Sequence, residues 1–158
     1  MLVSLALVFA ISSCGADDQR PSSKDWSLVV IVLDALPASA LGAYGRVVPG
    51  YEATPISPRI DAFARDAILF SDAWSSASYT LASTASVFTG TTPATHGVLG
   101  LNSNVLSPAH ITLAEAFQGA NFATAALSSN PHISQEGAFD QGFDLFRHYF
   151  RDVYDTHA

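Results

Sequence analysis

Six consecutive aliphatic residues, Leu28-Val29-Val30-Ile31-Val32-Leu33, constrain this chain more than any other stretch. A strand with one face in water alternates apolar and polar side chains; a strand covered on both faces has no need to. A continuous β-branched and aliphatic run therefore predicts a central strand of a parallel sheet, with helices packed outside it. Asp34 ends the run. Sites in open α/β sheets gather at the C-terminal ends of strands, so a carboxylate there is either a turn cap or a functional ligand.

A second stretch carries the chemistry. Ser78 to Gly90 reads as a helix, with Leu81, Ala85 and Phe88 on one apolar face and Gly90 as its stop. Thr80 falls where the N-cap is expected. Its hydroxyl would lie among the unpaired N–H groups of the first turn, at the positive end of the helix dipole. Such a place suits an anion, and suits a hydroxyl that attacks one. Capping alone would also account for a threonine there.

The remaining elements fit a sheet with outer helices. Pro55 to Asp66 predicts a helix with Ile60, Phe63, Ala64 and Ala67 facing inward, and Arg59, Asp61, Arg65 and Asp66 as its solvated face. Ala67 to Phe70 predicts a short strand. Asp72 to Ser78 is a small-residue approach to the helix, and Trp74 and Tyr79 are either pocket lining or ordinary rim aromatics. Thr91 to Pro108 reads as loop and contains His96-Gly97-Val98. Ile111 to Gln118 predicts an amphipathic helix closed by Gly119, and Phe122 to Leu127 a second buried strand. Ser128-Ser129-Asn130-Pro131-His132 follows that strand, again at a C-terminal end where polar side chains are either turn chemistry or substrate contacts.

Composition narrows the partners. Hydrophobic residues make up 49% of the 158 and charged residues 13%, so the chain is core-forming. A net charge of −7 argues against a nucleic-acid footprint but leaves a small anionic substrate open, because local dipoles and metals act at the site itself. Leu2 to Ile11 is shorter than the ~20 residues a membrane span needs, and it fits the apolar region of an export signal. Ile11-Ser12-Ser13-Cys14 resembles a bacterial lipobox, and Cys14 is the only cysteine, which excludes an intrachain disulfide. The organisation expected is a signal segment over 1–14, a flexible tether over 15–25 and a folded domain over 26–158.

The order of segments resembles the N-terminal part of the sulfatase family, within the alkaline phosphatase-like superfamily. Val29 to Asp34, Leu41-Gly42-Ala43-Tyr44-Gly45, Thr54-Pro55, Ile60 to Ala64, Thr80 to Gly90 and Thr95-His96-Gly97-Val98 occur in the family's order, over roughly Leu28 to Phe146. The resemblance implies an α/β, alkaline phosphatase-like fold with a mostly parallel sheet flanked by helices. It also implies a metal-dependent hydrolase of sulfate or phosphate esters. Asp34 and Thr80 would be ligands of a divalent ion (Ca, Mg, Mn or Zn), Thr80 the nucleophile, and Asn130 and His132 the contacts to the substrate. His96 would be a packing and hydrogen-bonding element. Phe139 to Phe146 resembles the family's architectural Gly-Phe-Asp turn.

The chain also departs from the family. Asp34 is followed by Ala35, not by a second Asp. Leu36 to Ala40 lacks the Arg and Asp found in other members, and no Lys stands beside His132. No downstream Asp-His-Gly or Asp-Asn-Gly cluster completes a metal site, so the chain is expected to be the N-terminal portion of a longer protein, inactive alone, or a truncated relic. Thr80 bears on the chemistry as well. Its Cβ methyl prevents conversion to the formylglycine that classical sulfatases make from Cys or Ser. The direct alkoxide route resembles the phosphodiesterase and phosphoglycerol or phosphoethanolamine transferase relatives. A non-catalytic surface lipoprotein that keeps the fold is the alternative from another class. The substrate expected is a small-molecule, glycan or lipid ester, and the location membrane-anchored or periplasmic.

Export should lead to acylation at Cys14. Labelled fatty acid should enter the full-length protein and not Cys14→Ala, and the substitution should move the protein out of the membrane fraction. Identical labelling and fractionation would reduce Cys14 to a bystander.

Overall fold

The aliphatic run forms the strand it predicts, Leu28–Leu33 (β2), but with an unexpected partner. The computed structural model describes residues 5–10, 26–50, 56–100 and 105–149, so Cys14 and the tether lie outside it. Leu5–Ala10 (β1), inside the expected signal segment, pairs with β2 in antiparallel register, from Leu5↔Leu33 to Ala10↔Leu28. The second sheet is also two-stranded, Ala125–Ser128 (β3) with Leu145–His148 (β4), and is parallel. The expected parallel sheet with 28–33 and 122–127 as neighbouring or near-neighbouring strands is therefore not found among the described residues. β2 is not sealed on both faces either; Val29 to Leu33 are between 36% and 45% exposed. The physical reason is that β1 occupies an edge. A ladder satisfies backbone N–H and C=O groups and leaves the faces of the pair uncovered.

The chain divides into two compact units, Met1–Ser75 and Ser76–Ala158. In the first, β2 runs into an exposed turn at Asp34, and Ala35 adopts a left-handed φ of 57°. A non-glycine residue there costs about 1 kcal/mol or more, because Cβ crowds the following carbonyl. Two 3₁₀ turns follow, Ala38–Ala40 and Gly42–Tyr44, and then the helix Pro58–Arg65 (α1), with proline in its first turn. Asp61 is not on a solvated face as the pattern suggested. It is half-buried, and its Oδ1 accepts from the Ala43 N–H (2.8 Å) and the Ser57 hydroxyl (2.7 Å), while Ser57 Oγ accepts from the Gly42 N–H (2.9 Å). This explains Gly42: a Cβ there would meet the Asp61 carboxyl carbon at 2.9 Å. The expected strand over 67–70 does not form. Ile68 and Phe70 are 83% and 68% exposed, and the Phe70 carbonyl accepts from the Tyr44 hydroxyl at 2.9 Å instead of joining a ladder.

The second unit carries the core. The helix Thr80–Thr89 (α2) buries Leu81 through Ala85 and ends, as expected, at Gly90 with φ 67°. Leu81 and Ala85 pack with Val98, Leu106, Ile133 and Phe139, and Phe88 sets its ring edge-on to Phe139 and Phe143 at 5.7 and 5.8 Å. The expected loop after α2 contains a four-residue helix, Pro93–His96 (α3). The next helix, Leu113–Gly119 (α4), begins in a capping box: Thr112 Oγ1 accepts from the Glu115 N–H (3.1 Å) and Glu115 Oε2 from the Thr112 N–H (2.7 Å). Gly119 does not close it. The stop is Asn121, at φ 64°, where the Phe122 and Asn121 N–H groups donate to the Phe117 and Gln118 carbonyls. Phe122 and Phe117 supply the hydrophobic contact of this Schellman arrangement, rings 5.1 Å apart.

The strand expected at 122–127 begins three residues late for a related reason. Phe122 is held by the helix end, and Thr124 is tied to Asp144. The Thr124 N–H donates to Asp144 Oδ2 (2.9 Å), the Asp144 N–H donates to Thr124 Oγ1 (3.0 Å), and the Thr124 hydroxyl donates to the Gly142 carbonyl (2.7 Å). The Thr124 N–H on Oδ2 first, and then the Gln118 amide on Oδ1, hold the Asp144 carboxyl below the usual carboxylate range. From this knot β3 and β4 start in register, Ala125↔Leu145. β4 had no sequence expectation of its own.

Gly142 is the closest approach in the unit. Its φ is +80°, and a Cβ would meet the carbonyl carbon of Ala114 at 2.7 Å. Gly142→Ala should lower unfolding stability by about 2–4 kcal/mol, from overpacking and the left-handed backbone together. Urea denaturation checks this, and a loss under 1 kcal/mol would show that α4 can move away from the turn.

Candidate functional site

Thr80 is the first residue of α2 and is half-buried, while the residue in the N-cap position is Tyr79. The sequence placed Thr80 one position too early. The Tyr79 backbone is extended (φ −123°, ψ 131°), its side chain makes no capping hydrogen bond, and the first helical bond runs from the Ser83 N–H to the Tyr79 carbonyl at 3.0 Å. The Thr80 side chain thus leaves the helix within the first turn, where backbone N–H groups have no intrahelical acceptor. One residue further in, the helix face turns into the core through Leu81 and Ala82.

His132 is brought to this helix start. Its ring lies 6.4 Å from that of Tyr79, tilted by 44°. The loop that delivers it is built by Asn130, whose Oδ1 accepts from the His132 N–H at 2.8 Å, an Asx-turn. The Asn130 carbonyl accepts from the Ile133 N–H (3.1 Å) and from His148 Nε2 (2.8 Å). A carbonyl only accepts, so His148 carries its proton on Nε2. His148 was not singled out in the sequence. Its signal was available only with β4 in hand, since it ends that strand opposite Ser128, at the rim where parallel sheets host their sites.

His96 is buried at 3% exposure, and its partners fix its tautomer. The Val98 N–H donates to Nδ1 at 3.1 Å, so the proton sits on Nε2, 2.9 Å from Ser86 Oγ. Ser86 Oγ in turn donates to the Ala82 carbonyl at 3.1 Å. A ring whose Nε2 already carries the proton takes none from a serine, so this pair is a lock between α2 and the Gly97-Val98 turn, not a nucleophile and its base. Burial lowers the His96 pKa below 6.5, and the nearby His110 lowers it further.

Asp34 belongs to the first unit, and Thr80, Asn130 and His132 to the second. Asp34 is exposed at the end of β2. Among the described residues, no three His, Cys, Asp or Glu side chains form a group able to hold a metal ion. A hard divalent cation takes six or so oxygen ligands, so the donors described here do not make a complete metal site.

The chain is thus α/β, with a hydroxyl at the start of a buried helix and polar residues at the rim of a parallel strand pair. The comparison with known families gives the membership. Residues 27–157 match the profile described as Sulfatase, and the chain belongs to that family, with its alkaline phosphatase-like fold. Members are sulfatase-like hydrolases and transferases and generally use divalent metal ions. Neither a curated protein nor a solved structure gives a significant match.

The His96 lock makes stability depend on pH. The folded-state pKa lies below the unfolded 6.5, so the unfolded chain binds protons first as pH falls. The contribution is complete above about 6.5 and is lost as pH falls through the lowered folded value. Melting temperature should therefore drop from pH 7 towards pH 5 in the parent, and His96→Gln should start lower and lose that segment of the profile. Parallel profiles for both proteins would remove His96 as the group responsible.

Proposed function

We propose that the chain supplies the nucleophile-bearing part of a metal-dependent hydrolase of sulfate or phosphate esters. Thr80 is the nucleophile. Its Oγ1 attacks sulfur or phosphorus in line with the ester oxygen, the alcohol leaves, and the covalent Thr80 ester is then hydrolysed. First-turn N–H groups of α2 hold the anion's oxygens. Asn130 and His132 contact the substrate, His132 from beside Tyr79. Asp34 and Thr80 are offered as ligands of the divalent ion, although the described donors do not complete its shell. The observation that carries the reading is the place of Thr80, at the first position of α2, within the segment matching the family.

The threonine favours phosphoryl over sulfuryl substrates within this reading, since its methyl excludes formylglycine. Phosphodiester cleavage, or transfer of a phosphoglycerol or phosphoethanolamine group, are its variants. A second reading, a non-catalytic lipoprotein exported to the membrane surface, is favoured by the Leu36–Ala40 segment without Arg or Asp.

Turnover of aryl phosphate, aryl phosphodiester and aryl sulfate by the full-length protein at saturating divalent metal tests these readings. Thr80→Ala should abolish at least about 1,000-fold of the activity. Because Thr80 is not the cap, the same change should shift stability by no more than about 1 kcal/mol. Thr80→Ser should keep partial activity. Parent-like turnover in Thr80→Ala would remove the nucleophile assignment, and a folded, metal-loaded parent inactive on all three esters would favour the non-catalytic reading.

A further inference from the structure

The segment Leu5–Ala10 has two incompatible partners. It is apolar throughout, within the run Leu2 to Ile11 that fits the apolar region of an export signal, and the partner of such a region is lipid. In the fold it is β1, paired residue for residue with β2 inside the first unit. The ester chemistry makes no use of that pairing.

The pairing supplies backbone bonds and little burial. β1 closes one edge of β2, yet Val29 to Leu33 stay 36% to 45% exposed, because a ladder covers no face. A lone two-stranded ribbon is marginally stable in water. The connection between the strands is long, residues 11–27, so closing it adds an entropic cost. Lipid offers the segment what β2 does not. It removes apolar side chains from water, and there the segment meets its backbone bonds internally, as a helix. One segment cannot lie in a ladder with β2 and in a helix within lipid at the same time. The pairing also reaches the end of β2 that bears Asp34, since Leu5 is opposite Leu33, the residue before it. Departure of β1 therefore opens this edge of β2 along its whole length, and an open edge is a template for another strand.

We propose that Leu5–Ala10 is an exchangeable strand, held by β2 in water and surrendered to a lipid bilayer, so that membrane contact opens the edge of β2. The lipid-bound state rests on the export-signal reading. The pairing does not, and neither state needs Thr80 or acylation of Cys14.

Hydrogen exchange of the full-length chain, read by mass spectrometry with and without phosphatidylcholine vesicles, tests the exchange. Without vesicles, the amides of Leu28–Leu33 that face β1 should exchange about tenfold or more slower than in Leu7→Pro, where the missing N–H and fixed φ break the ladder opposite Ile31. With vesicles, the parent should lose that difference while α2 stays protected. The double substitution Leu7→Thr and Val8→Thr keeps strand propensity while its hydroxyls resist lipid, so it should stay protected with vesicles present. Equal exchange in parent and Leu7→Pro without vesicles overturns the pairing. Protection of the parent that survives vesicles, or loss that extends to α2 or to the double threonine variant, overturns surrender to lipid. Failure of Cys14 to take up fatty acid in cells would leave these measurements unchanged, which separates this proposal from the anchoring reading.

Discussion

Leu81 and Ala85 press α2 against Val98, Leu106, Ile133 and Phe139, and the candidate site depends on that contact. A helix whose first residue is half-buried and whose next five are buried cannot roll about its axis without exposing apolar surface, at roughly 25 cal/mol for each Å². That cost fixes the direction in which Thr80 leaves the helix. The same core sets the far side of the site. Ile133 lies one residue beyond His132 and is itself part of the cluster, so the loop bearing His132 is pinned by its neighbour's burial as well as by Asn130. The apolar interior and the polar rim are two faces of one segment.

Polar side chains do the joining where strands are too short to do so. β3 and β4 share four paired positions, and a parallel pair of that size has little stability alone. Thr124 and Asp144 close the entrance of the pair, and His148 ties its exit to the Asn130 loop. Thr112 plays a matching part at 1% exposure, capping α4 and donating to the Gln141 carbonyl at 3.0 Å. In the first unit Asp61 holds the Gly42–Tyr44 turn in the same manner. In each case a polar side chain satisfies backbone groups that no ladder reaches.

Much of this was legible in the sequence, and the misses share a cause. Periodicity located α1, α2 and α4, because burial of one helix face leaves a local record. It placed the Leu28–Leu33 strand but not its partner, since strand pairing is decided by segments far apart in sequence. Gly119 and Asn121 both fit a helix stop, and only the Phe117–Phe122 contact decides between them. Asp61 looked like surface charge because its partners, Ala43 and Ser57, come from another turn and from the helix entrance. Thr80 sits where the pattern puts an N-cap, because threonines often cap, yet Tyr79 takes that position with backbone alone. The family's segment order was legible throughout, while His148 was invisible without the β3–β4 register.

The second unit holds two titrating knots, and acid loosens each through a different group. His96 binds α2 to the Gly97-Val98 turn only while neutral, and protonation of Nδ1 takes away the acceptor of the Val98 N–H. Asp144 binds β3 to β4 while ionised, and its depressed pKa keeps it ionised below 3.8. On acidification the lock beside the helix opens when His96 takes up its second proton, and the strand entrance opens when the Asp144 carboxyl is neutralised, so two separate groups carry the response of the unit to acid.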